Sequence, residues 1–415
     1  MTSDVEEVSG RSFDYIIVGG GASGCPLART LSESFSVLLV ERGGPPYDDP
    51  FVLERKKSGF PFIQTDEFSS VAQWFVSEEG VINHRGRVLG GSMAINAGFY
   101  SRASKDYIRR VGWDEMLVRD AYEWVESKVV FEPELSPWQS VVRDSLFEAG
   151  ILPFNGFSLE HLEGTKVGGS IFDELGRRHT SADILKTMDS KNITVLLNAM
   201  VRNVIFKDNG DGSKLRACGI RFRQSDCNSD NIYEAYLKQP ESESWGDVVL
   251  SAGALGSPQI LMFSGIGPQE HLEHFNISVL INTINVGKGK LQLNSTDPRE
   301  NPSVRFNYLA EERDSNKCVK MVRLIDQVSQ SKPISLFLGT QHNGTVKFSD
   351  DELREFCNIN VRTYYHYHGG CAVGSVVDEE YRVYGVDGLR VVDGSTLLDS
   401  PGTNPMATLL MLGSM

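Results

Sequence analysis

The stretch Phe13-Asp-Tyr-Ile-Ile-Val-Gly-Gly-Gly-Ala-Ser-Gly-Cys-Pro-Leu-Ala-Arg-Thr-Leu31 decides the fold. Its apolar start predicts a buried strand at 13–18, and the next six residues form a G-x-G-x-x-G turn that opens a helix. A second apolar run follows at 36–40 and ends in Glu41. This order of strand, glycine turn, helix and acid-terminated strand is typical of a Rossmann-like dinucleotide-binding unit.

The residues of this unit have distinct expected roles. Gly19 permits the tight turn, Gly21 lets a pyrophosphate approach the backbone, and Gly24 lets the helix pack closely on the strand. The helix N-terminus offers free N–H groups and a positive dipole end to the phosphates. Glu41 can accept hydrogen bonds from ribose hydroxyls, and its charge would repel a 2′-phosphate, which disfavours NADP.

Composition narrows the possible partners. The 415 residues are 40% hydrophobic and 23% charged, with a formal net charge of -14. This acidic balance argues against nucleic acid or an anionic membrane as partner, and we expect no transmembrane segment because no apolar run is long enough. Residues 1–12 are polar and acidic, so we expect no signal peptide in this chain. N-glycosylation sequons leave a secretory origin open; they lie at Asn192, Asn276, Asn294 and Asn343.

Cysteine and histidine usage predicts neither a disulfide scaffold nor a metal site. The six cysteines contain no C-x-x-C pair and are few for this length, which favours reduced or buried thiols. His366 and His368 with Cys371 would lack a fourth zinc ligand at sensible spacing. We therefore predict no metal.

The remaining pattern predicts the organisation of the chain. Loops and short helices are expected at 47–85, a second glycine turn leading into a helix at 86–96, and helices across 106–150. Residues 276–350 are polar and short of clear elements. Strands are predicted at 192–197, 201–206, 217–222, 247–251, 361–372 and 389–394, with a hairpin turn at 208–212 and a closing helix at 403–412.

Three stretches together resemble a known family. They are Gly86-Arg-Val-Leu-Gly-Gly-Ser-Met-Ala-Ile-Asn-Ala-Gly-Phe-Tyr100, Gly253-Ala-Leu-Gly-Ser-Pro-Gln-Ile-Leu-Met-Phe-Ser-Gly-Ile-Gly267, and Tyr364-Tyr-His-Tyr-His-Gly-Gly-Cys371, the last accompanied by 389–395 and 402–405. They resemble the signatures and active-site block of the glucose–methanol–choline (GMC) flavin oxidoreductases. The residues of these motifs are most similar to those of the plant branch that contains HOTHEAD-like proteins and mandelonitrile lyases.

The resemblance implies an α/β fold with FAD as cofactor. A three-layer, Rossmann-like FAD-binding domain would be assembled from 13–105, 165–275 and 355–415. A reduced α+β substrate domain would comprise 106–164 and 276–354. Beyond the first glycine turn and Glu41, the resemblance implies as cofactor-binding residues Gly90, Gly91, Asn96, Val201, Gly253, Asp393, Gly394, Pro405 and Met406.

The same resemblance implies the catalytic residues. His366 takes the place of the family's active-site histidine and would act as general base while an alcohol carbon gives hydride to the flavin. Asn404 would donate to the developing alkoxide, and Tyr364 to the substrate oxygen. His368 would face the other side of an extended strand and be structural.

Three functions remain open at this stage. The first is an FAD-dependent oxidase or dehydrogenase acting on alcohol CH–OH groups. The second is an FAD-containing hydroxynitrile lyase, in which His366 would deprotonate a small cyanohydrin; Asn404 in place of a histidine speaks against it. The third is an inactive flavin-binding short form.

Two departures from the family motivate the third possibility. Met93 stands where the family prefers a small Ser or Thr beside the flavin. After Ile281, the chain runs through 284–290 almost directly into 291–298, where relatives build more of a substrate-domain sheet. We therefore expect a more open flavin face and unpaired sheet edges.

Overall fold

The structure is a computed structural model of the 415-residue chain. It describes residues 1–63, 65–66, 70–186, 191–208, 215–225, 231–239, 246–283, 289–340 and 348–415. The predicted hairpin turn beyond residue 208, Cys227, most of the 284–290 segment and the sequon at Asn343 lie outside these residues.

Many short strands surround one buried parallel sheet. The strands are β1 (Ser12–Phe13), β2 (Tyr15–Val18), β3 (Val37–Val40), β4 (Ala72–Val76), β5 (Ile82–Gly86), β6 (Phe99–Tyr100), β7 (Phe154–Phe157), β8 (Thr165–Val167), β9 (Gly169–Ser170), β10 (Ile193–Leu196), β11 (Ala199–Lys207), β12 (Leu215–Gln224), β13 (Tyr233–Leu237), β14 (Val248–Leu250), β15 (Ile266–Gly267), β16 (Ile281–Asn282), β17 (Lys290–Gln292), β18 (Ser303–Arg305), β19 (Val386–Asp387) and β20 (Leu389–Val391).

The helices are mostly short. They are α1 (Gly24–Leu31), α2 (Pro50–Leu53), α3 (Lys105–Arg110), α4 (Glu115–Val129), α5 (Pro137–Glu148), α6 (Ser181–Lys186), α7 (Gly253–Phe263), α8 (Gln269–His274), α9 (Glu312–Ser329), α10 (Lys332–Leu338), α11 (Asp350–Ile359) and α12 (Met406–Ser414). Single 3-10 turns occur at Arg55–Lys57, Phe60–Phe62, Gly91–Ala94 and Gly394–Thr396. Within the described part of the chain, none of the helices combines the length and apolar character needed to cross a bilayer.

The central sheet has the strand order β10-β3-β2-β14-β20, and every neighbouring pair in it is parallel. Strand β2 leads through α1 to β3 on one side and pairs with β14 on the other. The chain thus leaves β2 and β14 in opposite directions, which makes their carboxyl ends a switch point where ligands bind in open α/β sheets. The first predicted strands and helix are confirmed.

One layer covers each face of this sheet, so the unit has three layers. Strand side chains alternate in direction, so Ile16 and Val18 of β2 pack against a second sheet in the order β1-β13-β12-β11. Ile17 faces the opposite way, against α1, α6 and α12. The predicted α/β fold with a Rossmann-like, three-layer unit is confirmed.

Three sequence-based predictions about elements are wrong. Residues 47–85 contain the hairpin β4–β5 besides the expected short helices. Residues 276–350 contain α9 and α10 and three strands; α9 is amphipathic, and its many charges masked its apolar stripe. Residues 361–372 form no strand, because their aromatic side chains line a crevice instead of pairing in a sheet, and Tyr365 adopts φ +61°.

The cysteine prediction is wrong for one pair. Cys318 of α9 and Cys357 of α11 form a disulfide. Their helices pack against each other and bring two residues 39 positions apart into contact, which sequence spacing does not reveal. Cys25, Cys218 and Cys371 are free and buried, as expected.

Candidate functional site

A crevice of about 540 Å³ opens at the carboxyl ends of β2 and β14. Most of the predicted site residues lie on its wall. Gly24 and Gly90 do not line it: Gly24 packs closely on the carbonyl of Gly19, and Gly90 on the side chain of Thr180. The predicted residues on the wall are Gly19, Gly21, Glu41, Gly91, Asn96, Val201, Gly253, Tyr364, His366, Asp393, Gly394, Asn404, Pro405 and Met406.

The first glycine turn needs glycine for two separate reasons. Gly19 has φ +106°, and a side chain there would collide with the backbone of Ser251 at the end of β14. A side chain at Gly24 would collide with the carbonyl of Gly19. At Gly21 the nearest atom to an added Cβ is the Cα of Gly91, 3.9 Å away, so this face of the turn is open to the crevice. The turn therefore leaves room for a ligand to approach the backbone.

The N-terminus of α1 provides a polar end to the crevice. Ser23 is buried and lies on the wall, and its hydroxyl has no hydrogen-bond partner among the described residues. A buried hydroxyl without a partner is costly, so a ligand acceptor is needed to satisfy it. Together with the positive end of the helix dipole, this hydroxyl fits the phosphates of a dinucleotide.

Glu41 is held at the end of β3 by the chain itself. Its two carboxylate oxygens accept hydrogen bonds from the backbone N–H groups of Gly20 and Gly43, each at 2.8 Å. Burial raises the pKa of this carboxyl group, and the backbone hydrogen bonds act in the opposite direction. Each oxygen keeps a lone pair that can accept from a ribose hydroxyl.

The second glycine turn closes against the first. Gly91 has φ +59°, and a side chain there would lie 2.8 Å from the Cα of Gly21. The predicted helix after this turn is only the 3-10 turn Gly91–Ala94. Arg178 fixes the segment from behind: its guanidinium donates to the carbonyl of Met93 at 3.1 Å and to the carbonyl of Asn96 at 2.7 Å.

Arg178 supports the crevice wall and was not predicted from the sequence. It is fully buried, and its guanidinium lies 4.4 Å from the Phe172 ring centroid. Burial lowers its pKa to about 9. Its contacts with residues 93–96 come from a segment more than eighty positions away, and only its place in the block 176–182 could have drawn attention to it.

Asp393 ties three chain segments together at the crevice. One carboxylate oxygen accepts from the Gly253 N–H at 2.8 Å and from the Ser257 hydroxyl at 2.5 Å. The other accepts from the N–H and the hydroxyl of Ser395, at 2.8 and 2.6 Å. Burial raises the pKa of this carboxyl group against these hydrogen bonds. Through these hydrogen bonds, Asp393 holds the start of α7 and the turn that begins at Gly394.

The three predicted catalytic side chains lie on the same crevice wall. The rings of Tyr364 and His366 are 6.3 Å apart between centroids, and Tyr364 is 80% exposed. His366 is also exposed, yet the surrounding wall lowers its pKa, and the nearby His368 lowers it further. Asn404 donates one amide hydrogen to the carbonyl of Phe99 at 2.6 Å, which leaves its second hydrogen for a ligand.

His368 does not alternate with His366 across a strand, because the segment is irregular. Its Nδ1 lies 3.0 Å from the backbone carbonyl oxygen of His366, so it braces the loop that carries the candidate base. Cys371 is fully buried, and burial raises its thiol pKa. Within the described ranges, no group of three or more His, Cys, Asp or Glu side chains is placed to hold a metal ion.

An aromatic wall beside these residues was not predicted. Phe62 stacks on Tyr365 with 5.4 Å between ring centroids, and His84 meets Phe62 edge-on at 5.0 Å. Tyr367 donates its hydroxyl hydrogen to the side-chain oxygen of Asn83 at 2.8 Å. The wall joins the 3-10 turn at 60–62, strand β5 and the loop 361–372, so only the folded chain brings it together.

Met93 departs from the family pattern without blocking the crevice. The side chain is 3% exposed and packs in a helical cluster with α3, α4 and α12. It also borders the crevice. Met93 therefore places a thioether on the wall where the family has a hydroxyl group. The space beside it stays open.

The sequence of this chain matches models of one protein family. Two models, both described as GMC oxidoreductase, match residues 13–294 and 286–413. The chain belongs to the GMC oxidoreductase family. This confirms the resemblance that the three sequence stretches indicated.

Plant proteins are among the similar relatives of this GMC oxidoreductase. The (R)-mandelonitrile lyase-like protein of Arabidopsis thaliana is 41% identical over 97% of this chain and 88% of its own length. Protein HOTHEAD of Arabidopsis thaliana is 36% identical, and sinalpyl alcohol oxidase Nec3 of Nesocodon mauritianus is 35% identical; each comparison covers 97% of this chain and 87% of the relative. The first alignment spans 496 positions, more than the 415 residues of this chain, so the relative contains segments without a counterpart here.

Solved structures show the same fold at low sequence identity. Formate oxidase of Aspergillus oryzae matches with a TM-score of 0.82 at 16% identity, covering 98% of this chain and 97% of that one. Pyridoxine 4-oxidase from Mesorbium loti matches with a TM-score of 0.79 at 21% identity, covering 97% of each chain. The GMC fold therefore extends over nearly the whole molecule.

Because the chain belongs to this family of flavoproteins, its cofactor is FAD. The crevice of this GMC oxidoreductase fits it, because the open backbone at Gly21, the unsatisfied hydroxyl of Ser23 and the fixed carboxylate of Glu41 lie on one wall. The residues that would hold its flavin end are those of the second glycine turn and the N-terminal residues of α12.

Proposed function

We propose that this chain oxidises the CH–OH group of an alcohol, with His366 as the general base. When bound, FAD supplies the hydride acceptor. The observation that carries the proposal is the placement of His366, Asn404 and Tyr364 together on the crevice wall, next to the N-terminus of α12.

Each of these residues has a task that its surroundings support. The His366 ring has no hydrogen-bond partner among the described residues, so a ring nitrogen is available to take the hydroxyl proton. Its lowered pKa keeps it neutral, as a base must be. Asn404, held by Phe99, directs its free amide hydrogen at the oxygen that gains negative charge. Tyr364 can donate to the same oxygen from the crevice mouth.

Cyanohydrin cleavage is the second candidate. It needs the same proton removal from a hydroxyl group and no change in flavin redox state. The 41% identity to a mandelonitrile lyase-like protein favours it. Asn404 speaks for the alcohol reaction, because an amide has no proton to exchange with a leaving cyanide in the way a histidine does.

One experiment separates these candidates. Purified protein should show the yellow flavin bands, and anaerobic mixing with a panel of primary and secondary alcohols should bleach them. His366→Ala should slow bleaching by about 10²–10⁴-fold while the bound flavin stays in place. His274→Gln, an exposed histidine on α8, serves as the matched control and should leave the rate unchanged.

The other outcomes are equally definite. Cyanide release from mandelonitrile without bleaching by any alcohol would replace the proposal with the lyase. Bound flavin with neither reaction would identify a non-catalytic flavin-binding form. Colourless protein that takes up no added FAD would refute the proposal.

A further inference from the structure

Two arginines of the crevice wall share one amide oxygen as acceptor. Arg85 of β5 donates from Nε to the side-chain oxygen of Gln73 at 3.2 Å, and Arg42 donates from Nη1 to the same oxygen at 2.6 Å. Arg42 also donates from Nη2 to the carbonyl of Gly86 at 3.0 Å. Both arginines border the crevice, and Arg85 is only 8% exposed.

The described part of the chain offers no compensating charge to Arg85. Among the described residues no carboxylate pairs with it, and its two terminal nitrogens have no acceptor. Its charged neighbours are Arg42 and Arg87, which carry the same sign. Burial, followed by the repulsion from Arg42, sets the pKa of Arg85 well below its ordinary value. A buried, unpaired cation is strongly unfavourable, so an anion from outside the chain is needed to balance it.

A neighbouring helix end adds to this positive field. The Nη1 atom of Arg85 lies 3.9 Å from the position that a Cβ on Gly256 would occupy, in the first turn of α7. The N-terminal end of a helix is positive, so it attracts the same kind of ligand as the guanidinium. Arg87 differs from Arg85: it forms an ion pair with Asp66 at 3.3 Å and does not border the crevice.

We propose that Arg85, with Arg42 and the first turn of α7, forms an anion site in the crevice that binds a phosphate-class group. Its donors are additional to the phosphate contacts expected at the N-terminus of α1. Two sources can supply the group: the diphosphate of the FAD molecule itself, or a free phosphate bound beside it.

Retention of FAD by the holoprotein tests the first source. We expect Arg85→Met to raise the dissociation constant of FAD by about tenfold or more, with Arg85→Lys restoring part of the loss, because a charged hydrogen bond disappears. Arg87→Met is the matched control and should change the constant by less than about threefold. The dissociation constant of ADP should rise by a similar factor in the variant, while that of adenosine, which lacks phosphates, should stay unchanged. Equal loss for ADP and adenosine would mean a structural role and would overturn the proposal.

Inorganic phosphate tests the second source. If the group is a free anion, Arg85→Met should keep its FAD affinity and lose the thermal protection that phosphate gives the wild-type holoprotein. If Arg85→Met does not fold, Arg85→Gln replaces it, because the amide keeps hydrogen bonding to Gln73 without the charge. A variant that matches the wild type in FAD retention and in phosphate protection would refute the site.

Discussion

At the scale of single residues, the proposed reaction depends on the protonation state of His366. The crevice wall removes part of its hydration, which disfavours the charged ring, and His368 adds repulsion when it is protonated. Both effects lower the pKa below the ordinary histidine value of about 6.5. A base works in its neutral form, so activity should persist to a lower pH than an ordinary histidine would allow.

The first prediction at this scale concerns His368. Replacing it in His368→Gln removes the repelling charge, so the pKa of His366 should rise and the acid limb of the kcat/KM profile should move to higher pH. The rate at the plateau should stay close to the wild type, since the loop contact can be kept by the glutamine. The measurement is a pH profile of flavin reduction under anaerobic conditions. If the acid limb of the profile does not move, His368 does not influence the pKa of His366. His274→Gln is again the control variant.

At the scale of elements, the crevice depends on hydrogen bonds between the segments that follow β14 and β20. Asp393 makes these bonds, so its substitution tests their contribution. Asp393→Asn keeps the shape of the side chain but replaces one oxygen by an amide that cannot accept from the Gly253 or Ser395 donors. We expect a loss of about 2–4 kcal/mol in unfolding free energy, because buried donors lose a charged acceptor. FAD retention should weaken with it, since the start of α7 is no longer held.

Thermal or denaturant unfolding of the holoprotein measures this effect. Asp106→Asn is the control, because that carboxylate on α3 is 91% exposed and its removal should cost little. Unchanged stability and unchanged FAD retention in Asp393→Asn would mean that the four hydrogen bonds contribute nothing net to the junction.

Sequence predicted the elements whose patterns are local. Strand β2, α1 and β3 could be recognised because apolar runs, a glycine turn and a terminal acid lie within thirty residues. Helix α9 could not, because its charged residues are as many as its apolar ones and Val319 is its one buried residue. The loop 361–372 has a strand-like composition, but its aromatic side chains line the crevice. Its backbone N–H groups at Gly369 and Cys371 donate to the carbonyls of Gly394 and Ser395.

The residues of the site were predictable where they belong to local motifs. The glycine turns and the block around His366 carry motifs and were placed on one wall, whereas the roles of these residues remain predictions. Arg178, Gln73 and Arg85 carry no motif that announces their contacts. Their partners lie as far as 226 positions away along the chain, and only the fold brings them together.

At the scale of the whole molecule, the layers differ in what stabilises them. The parallel sheet is covered on both faces by extensive apolar clusters. Helices α9, α10 and α11 lie at the periphery, and each buries only one or two side chains fully. Exposed apolar residues remain there, among them Met321, Ile325 and Ile359. This outer layer therefore relies more on its covalent link than the FAD-binding layers do.

The double variant Cys318→Ser/Cys357→Ser tests that difference. The disulfide closes a loop with a sequence separation of 39, and loop-closure entropy predicts a loss of about 3–4 kcal/mol when it is removed. Far-UV circular dichroism should show helical signal melting at a lower temperature. Flavin fluorescence should report release of the cofactor only later, because neither cysteine borders the crevice. Cys218→Ser, which alters one buried free thiol, controls for the substitution itself. If both signals shift together, the outer helices and the cofactor layers unfold as one cooperative unit, and the disulfide then stabilises the crevice as well as the periphery.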